Sequence, residues 1–118
     1  MFLGLRTVIY PAPDLDKAKV WFTAALGIEP YFDEPFYVGF NVGGYELGLD
    51  PNLAQAEGHR AFWGVADIDA AIAELTGVGA TVIAPAQEVG DGIKVATVTD
   101  PAGNDIGLIY NPHFTLDA

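Results

Sequence analysis

The stretch GGYELGLDPN, Gly43 to Asn52, has a counterpart in AGNDIGLIYNP, Ala102 to Pro112. Each runs from a glycine turn through an acidic residue and an aliphatic residue to a glycine and a leucine. A glycine inside a strand packs nothing and weakens it. Here it occurs twice, at matching places.

Outward from these stretches the chain reads as two copies of one plan. Alternation over Leu3–Tyr10 predicts a strand. PDLDKAKVWFTAALG then predicts a helix capped by Asp14 and ended by Gly27, with apolar Leu15, Trp21, Phe22, Ala25 and Leu26. Short strands are expected near Tyr31, at Phe36–Val42 and at Tyr45–Asp50, the last two joined by Gly43-Gly44 in a type I′ turn. The second half repeats the order. RAFWGV predicts a strand, and ADIDAAIAELTGVG a helix capped by Asp67 with an apolar stripe of Ile68, Ala71, Ile72 and Leu75. Strands follow at Ala80–Ala84, Ile93–Thr99 and Asp105–Tyr110, with the turn DPAG before the last. Asp14 corresponds to Asp67 and Gly44 to Gly103. The expectation is one domain, residues 1–118, made of tandem βαβββ units at 1–52 and 59–112 with a linker at 53–58.

Composition narrows the function classes. A chain of 118 residues, 51% hydrophobic and 18% charged, is expected to bury a real core and not to be disordered. Its apolar runs are too short to cross a bilayer, and MFLGLRTVIY lacks the plan of a secretory signal, so no membrane partner and a cytoplasmic location are expected. With no cysteine there is no disulfide, thiolate metal site or thiol nucleophile, and with no serine there is no serine triad. EVGDGIKV reads as a turn between strands, and no phosphate-loop or dinucleotide fingerprint is present. A net charge of −11 repels nucleic acid and attracts small cations, while also serving solubility.

VIYPAPDLDKAKVWF, VADIDAAIAEL and DPAGNDIGLI make nearly the whole chain resemble the glyoxalase / bleomycin-resistance / extradiol-dioxygenase superfamily, also called vicinal oxygen chelate proteins. The resemblance implies an α+β fold in which both units contribute to an open, cup-shaped mixed sheet with helices outside. It further implies a homodimer and a small molecule bound in the cup. Catalytic relatives hold a divalent metal through one residue of the first and one of the last strand of each unit. In this sequence those positions are Thr7, Gly48, Arg60 and Gly107. Glycine has no side chain, Arg stays cationic, and a lone Thr hydroxyl is a weak ligand, so neither metal nor other cofactor is expected. His59 would reach such a site only by a register slip that turns its strand inside out. His113 lies in the tail NPHFTLDA and reads as a surface residue, with a swapped tail that reaches a partner's cup as the alternative.

Alternation then assigns faces. Thr7, Ile9, Arg60, Phe62 and Gly64 are expected in the cup, with Val8, Tyr10, Ala61, Trp63 and Val65 under the helices. The first hairpin adds the pairs Asn41 with Glu46, Gly39 with Gly48 and Tyr37 with Asp50. A four-residue DPAG loop adds Val98 with Asp105, Ala96 with Gly107 and Lys94 with Ile109. The expected lining is therefore mixed in charge and poor in large rings. Two roles stay open for its ions: Arg60 pairs with Glu46 or Asp105 structurally, or Arg60 and Lys94 orient a ligand while Glu46 or Asp105 acts as general base. The leading expectation is metal-free binding of a small organic molecule, similar to the bleomycin-resistance type. The alternative is a lyase, isomerase or dioxygenase-like enzyme using Glu46 or Asp105 with Arg60, or an atypical metal site.

Overall fold

The protein is described by a computed structural model covering residues 1–115. The described residues form an α+β fold of two α-helices and eight strands, with both parallel and antiparallel strand pairing. In order they are β1 (Gly4–Pro11), α1 (Leu15–Leu26), β2 (Phe32–Glu34), β3 (Tyr37–Val42), β4 (Tyr45–Asp50), β5 (Arg60–Gly64), α2 (Ile68–Gly77), β6 (Thr81–Gly90), β7 (Ile93–Thr99) and β8 (Asp105–Tyr110). Among the described residues no helix is long and apolar enough to cross a membrane.

Two compact units form, one of residues 7–60 and one of residues 61–114 together with 1–6. The first orders its strands β2-β3-β4-β1, with β1 parallel to β4 and the rest antiparallel. Its core holds Ala12, Val38, Phe40 and Leu49, covered by Leu15, Ala18, Phe22 and Leu26 of α1. These four positions share one helix face, whereas Trp21 lies about 100° round from Phe22. Trp21, expected in the apolar stripe, is accordingly exposed and touches Phe22 edge-on. The second unit orders its strands β5-β8-β7-β6, with β5 parallel to β8. Its core is Val65, Ile68, Ala71, Ala96, Val98 and Leu108. The N-terminal residues join this unit through Leu3 N–H donating to Gly64 C=O at 2.8 Å and Phe2 packing on Trp63.

The caps form as the sequence predicts. Asp14 accepts the Lys17 N–H at 3.1 Å and Asp67 the Ala70 N–H at 3.0 Å, each satisfying a donor in the first helical turn. Gly27 closes α1 at φ 70°. Gly43 and Gly44, at φ 64° and 92°, make the primed turn that pairs Val42 with Tyr45. Strand β6 runs to Gly90, well past the expected Ala84, and stays exposed along the sheet edge. Register shifts at Val82/Ala84, Ala84/Gln87 and Glu88/Gly90 let it carry Pro85 and still follow β7.

The second hairpin departs from expectation by one residue. Thr99 pairs with Asp105, Thr97 with Gly107 and Lys94 with Tyr110. Asn104 is part of the loop because its backbone and side-chain N–H groups both donate to Asp100 at 2.9 Å, and the Asp100 N–H returns a bond to Asn104 C=O. The loop is thus DPAGN, not DPAG. A one-residue change reverses the faces. Lys94 moves with Ala96 and Val98 to the α2 face, away from Gly107, and is exposed.

Candidate functional site

The chemistry of the 7–60 unit gathers on the sheet face opposite α1. Pairing of β1 with β4 sets Thr7 beside Glu46 and Ile9 beside Gly48, and β3 adds Asn41 and Gly39 to the same two rows. Glu46 is the hub. One carboxylate oxygen, Oε1, accepts the Tyr37 hydroxyl at 2.8 Å and the buried Thr7 hydroxyl at 3.3 Å. The other, Oε2, accepts the Tyr31 hydroxyl. All three partners are neutral hydroxyls. Three hydroxyl donors thus fix the Glu46 carboxyl group in place.

The glycines explain how the cluster fits. A Cβ on Gly48 would fall inside the Tyr37 hydroxyl and 2.9 Å from its Cε1. A Cβ on Gly39 would lie 2.9 Å from Glu46 Oε2 and 3.0 Å from Tyr31 Cε1. Paired directly across β3 and β4, the two glycines hollow the sheet for the tyrosines and the carboxylate. Burial and then the Glu46 charge and hydrogen bond push the Tyr37 hydroxyl above its ordinary 10.0. Burial of its hydroxyl end, then the bond to Glu46, raises Tyr31 likewise, although that residue is 62% exposed overall. Both phenols remain proton donors at neutral pH.

The second unit uses the same device with an apolar ring. A Cβ on Gly107 would lie 2.6 Å from Phe62 Cδ1 and 2.7 Å from the Ala61 carbonyl oxygen. Both glycines at last-strand ligand positions thus lie under an aromatic side chain. Thr7, at a first-strand position, spends its hydroxyl on Glu46. The residues at these positions do not fit a vicinal-oxygen-chelate metal. His59 stacks on Tyr10, with ring centroids 4.1 Å apart, on the side of the α1 core. His113 Nε2 meets the Asp91 carbonyl at 2.9 Å. Neither joins Glu46, and no cluster of three or more His, Cys, Asp or Glu suited to a metal occurs among the described residues.

Other candidates serve local structure. Asn41 Oδ1 accepts the Gly44 N–H at 2.9 Å, tying the hairpin, and Asp50 Oδ1 accepts the Asn52 N–H at 2.8 Å. Asp105 is exposed at the start of β8, on the Gly107 side of that strand, and Arg60 opens β5 on the Phe62 side. The expected shortage of rings does not hold. Phe32 pairs with Gly39 and so shares the Glu46 face, with its ring 6.1 Å from Tyr37 and 6.0 Å from Phe36. Tyr31, Phe32 and Phe36 escape a reading by alternation because β2 has only three residues. Their signal is the density of the run YFDEPFY itself. A separate depression bounded by Asp14, Asp16, Lys19, Asp33 and Glu34 is spanned by the exposed Lys19–Asp33 pair, a surface contact of small energetic weight.

A family model described as the Glyoxalase/Bleomycin resistance protein/Dioxygenase superfamily matches residues 4–108. No curated protein matches the chain. Among solved structures, it is similar to a variant of Streptomyces coelicolor methylmalonyl-CoA epimerase in complex with 2-nitronate-propionyl-CoA, at 17% identity, 95% and 99% coverage of the two chains and a TM-score of 0.79. A hypothetical protein of Bacillus halodurans C-125 gives 14%, 96%, 97% and 0.79. A glyoxalase/bleomycin resistance protein/dioxygenase superfamily member of Vibrio splendidus 12B01 gives 17%, 90%, 97% and 0.69. At these identities the likeness is one of fold.

Proposed function

The chain belongs to the glyoxalase/bleomycin resistance protein/dioxygenase superfamily, and from that membership we propose that it binds a small organic molecule on its Glu46 face without a metal ion. The observation that carries the proposal is the Tyr37 hydroxyl filling the space above Gly48 while bonded to Glu46. Where the family pattern would supply a ligand side chain, this chain supplies a phenol. The same face offers what an organic ligand uses: flat apolar surface from Phe32 and Tyr37, and a few fixed polar groups from Thr7, Tyr31 and Glu46. The test is calorimetric titration of chelator-treated protein with benzoate, benzyl alcohol and benzyltrimethylammonium. Binding of at least one probe, lost in Tyr37→Ala, is expected. Binding by none, or only after a divalent metal is added, would overturn the proposal.

One observation favours a catalytic second reading. A carboxylate flanked by two phenols that keep their protons is a base beside two acids, the arrangement needed to move a proton next to a carbonyl. Solvent deuterium entering the carbon next to the carbonyl of small 2-keto acids, and abolished by Glu46→Gln, would support it. No exchange above the Glu46→Gln background leaves binding alone.

A further inference from the structure

We infer that the molecule taken by the Glu46 face carries an organic cation of the substituted-ammonium class, seated against the rings of β2 and β3 with Glu46 as its counter-ion. The inference rests on the reading that this face binds a small molecule, and adds the chemistry of the ligand.

Three features carry it. The first is ring geometry. Phe32 stands at 66° to Phe36 and 61° to Tyr37, with both centroid separations near 6 Å. Rings tilted in this way form walls of a corner, not a closed stack, and leave π-faces for a cation to meet. The second is exposure. Tyr31 is 62%, Phe36 60% and Phe32 38% exposed, all within one short hairpin. Three rings this open in so short a segment mark a binding surface more than a core. The third is charge. Glu46 touches this aromatic group through Tyr31 and Tyr37, and the groups that donate to its carboxylate are the neutral hydroxyls of Thr7, Tyr31 and Tyr37. An inorganic cation would have to give up water for a surface made mostly of carbon. A substituted ammonium is weakly hydrated and presents methyl groups to the rings, so it meets both halves of the site at once. The net charge of −11 raises the local concentration of such a ligand. Anionic ligands face the reverse field and, among the described residues, a carboxylate held by hydroxyls and by no cation.

The test compares two probes of nearly equal shape, choline and its uncharged carbon isostere 3,3-dimethylbutan-1-ol, by titration into the full chain. Choline is expected to bind at least tenfold more tightly. That preference should fall about tenfold in Glu46→Gln, which keeps the hydroxyl partners, and should weaken in Phe32→Leu. Equal binding of the two probes, or tighter binding of the isostere, would overturn the cation assignment while leaving small-molecule binding intact. If neither probe binds but benzoate does, the assignment also falls and the wider reading stands. If choline, the isostere, benzoate, benzyl alcohol and benzyltrimethylammonium all fail, both fall. The comparison is made on the unaltered protein, so it holds even if a variant does not fold.

Discussion

At the scale of single residues, the two strand glycines are the most informative positions in the chain. Gly48 and Gly107 look alike in the sequence, yet what covers them differs in stiffness. Above Gly48 lies the end of a tyrosine side chain, which can swing aside. Above Gly107 lie the Phe62 ring and the Ala61 backbone oxygen, which cannot. Gly48→Ala is therefore expected to cost about 1–3 kcal/mol of stability, as overpacking does, and Gly107→Ala more. Urea melts check the order, and Tyr37→Ala should recover much of the Gly48→Ala loss if the clash is the cause. Tyr37 also predicts an alkaline limit. Its folded pKa lies above the 10.0 of the free phenol, so its contribution is fully present below pH 10 and is lost as pH rises beyond it. Denaturant midpoints measured across that range should fall, and fall less in Tyr37→Phe.

At the scale of elements, the two hairpins show what was legible and what was not. Gly43-Gly44 fixes a two-residue primed turn, so the Val42–Tyr45 pairing and the rows below it follow from the sequence alone. DPAGN hides a hydrogen bond between side chains four residues apart, and no pattern of apolar residues signals it. That bond moved the register by one and took Lys94 off the expected face. Helices and caps were legible because each rests on local chemistry. The aromatic corner was not, because it depends on Phe32 finding Gly39 across a three-residue strand. The loop carries its own prediction. Bonds from Asn104 hold the Asp100 carboxyl below its ordinary range. Their support is present above that range, near pH 4, and is lost as pH falls through the lowered folded value. Asn104→Ala removes the side-chain donor but keeps the backbone ones, so it should move the Asp100 titration, followed by NMR, part of the way back toward ordinary pH, and an unchanged titration would count against the loop assignment.

At the scale of the whole molecule, family membership and fold are secure, while the ligand must be argued from one face of one unit. Two aromatic caps over two glycines turn positions associated with metal ligands into packing positions, and the remaining carboxylate is held by hydroxyls. A charge of −11 on 118 residues sets a further expectation. Self-repulsion should be screened by salt, so thermal stability should rise between roughly 0.01 and 0.15 M ionic strength, where the Debye length shortens from about 30 to about 8 Å. A flat melting temperature across that range would show that the acidic groups are compensated locally. Metal-free binding on the Glu46 face is read most directly from an amide chemical-shift map of chelator-treated protein titrated with benzyltrimethylammonium. Shifts centred on Tyr31, Phe32, Gly39, Glu46 and Gly48 that saturate without added metal are expected. Shifts centred elsewhere, or appearing only once a divalent metal is supplied, would contradict it.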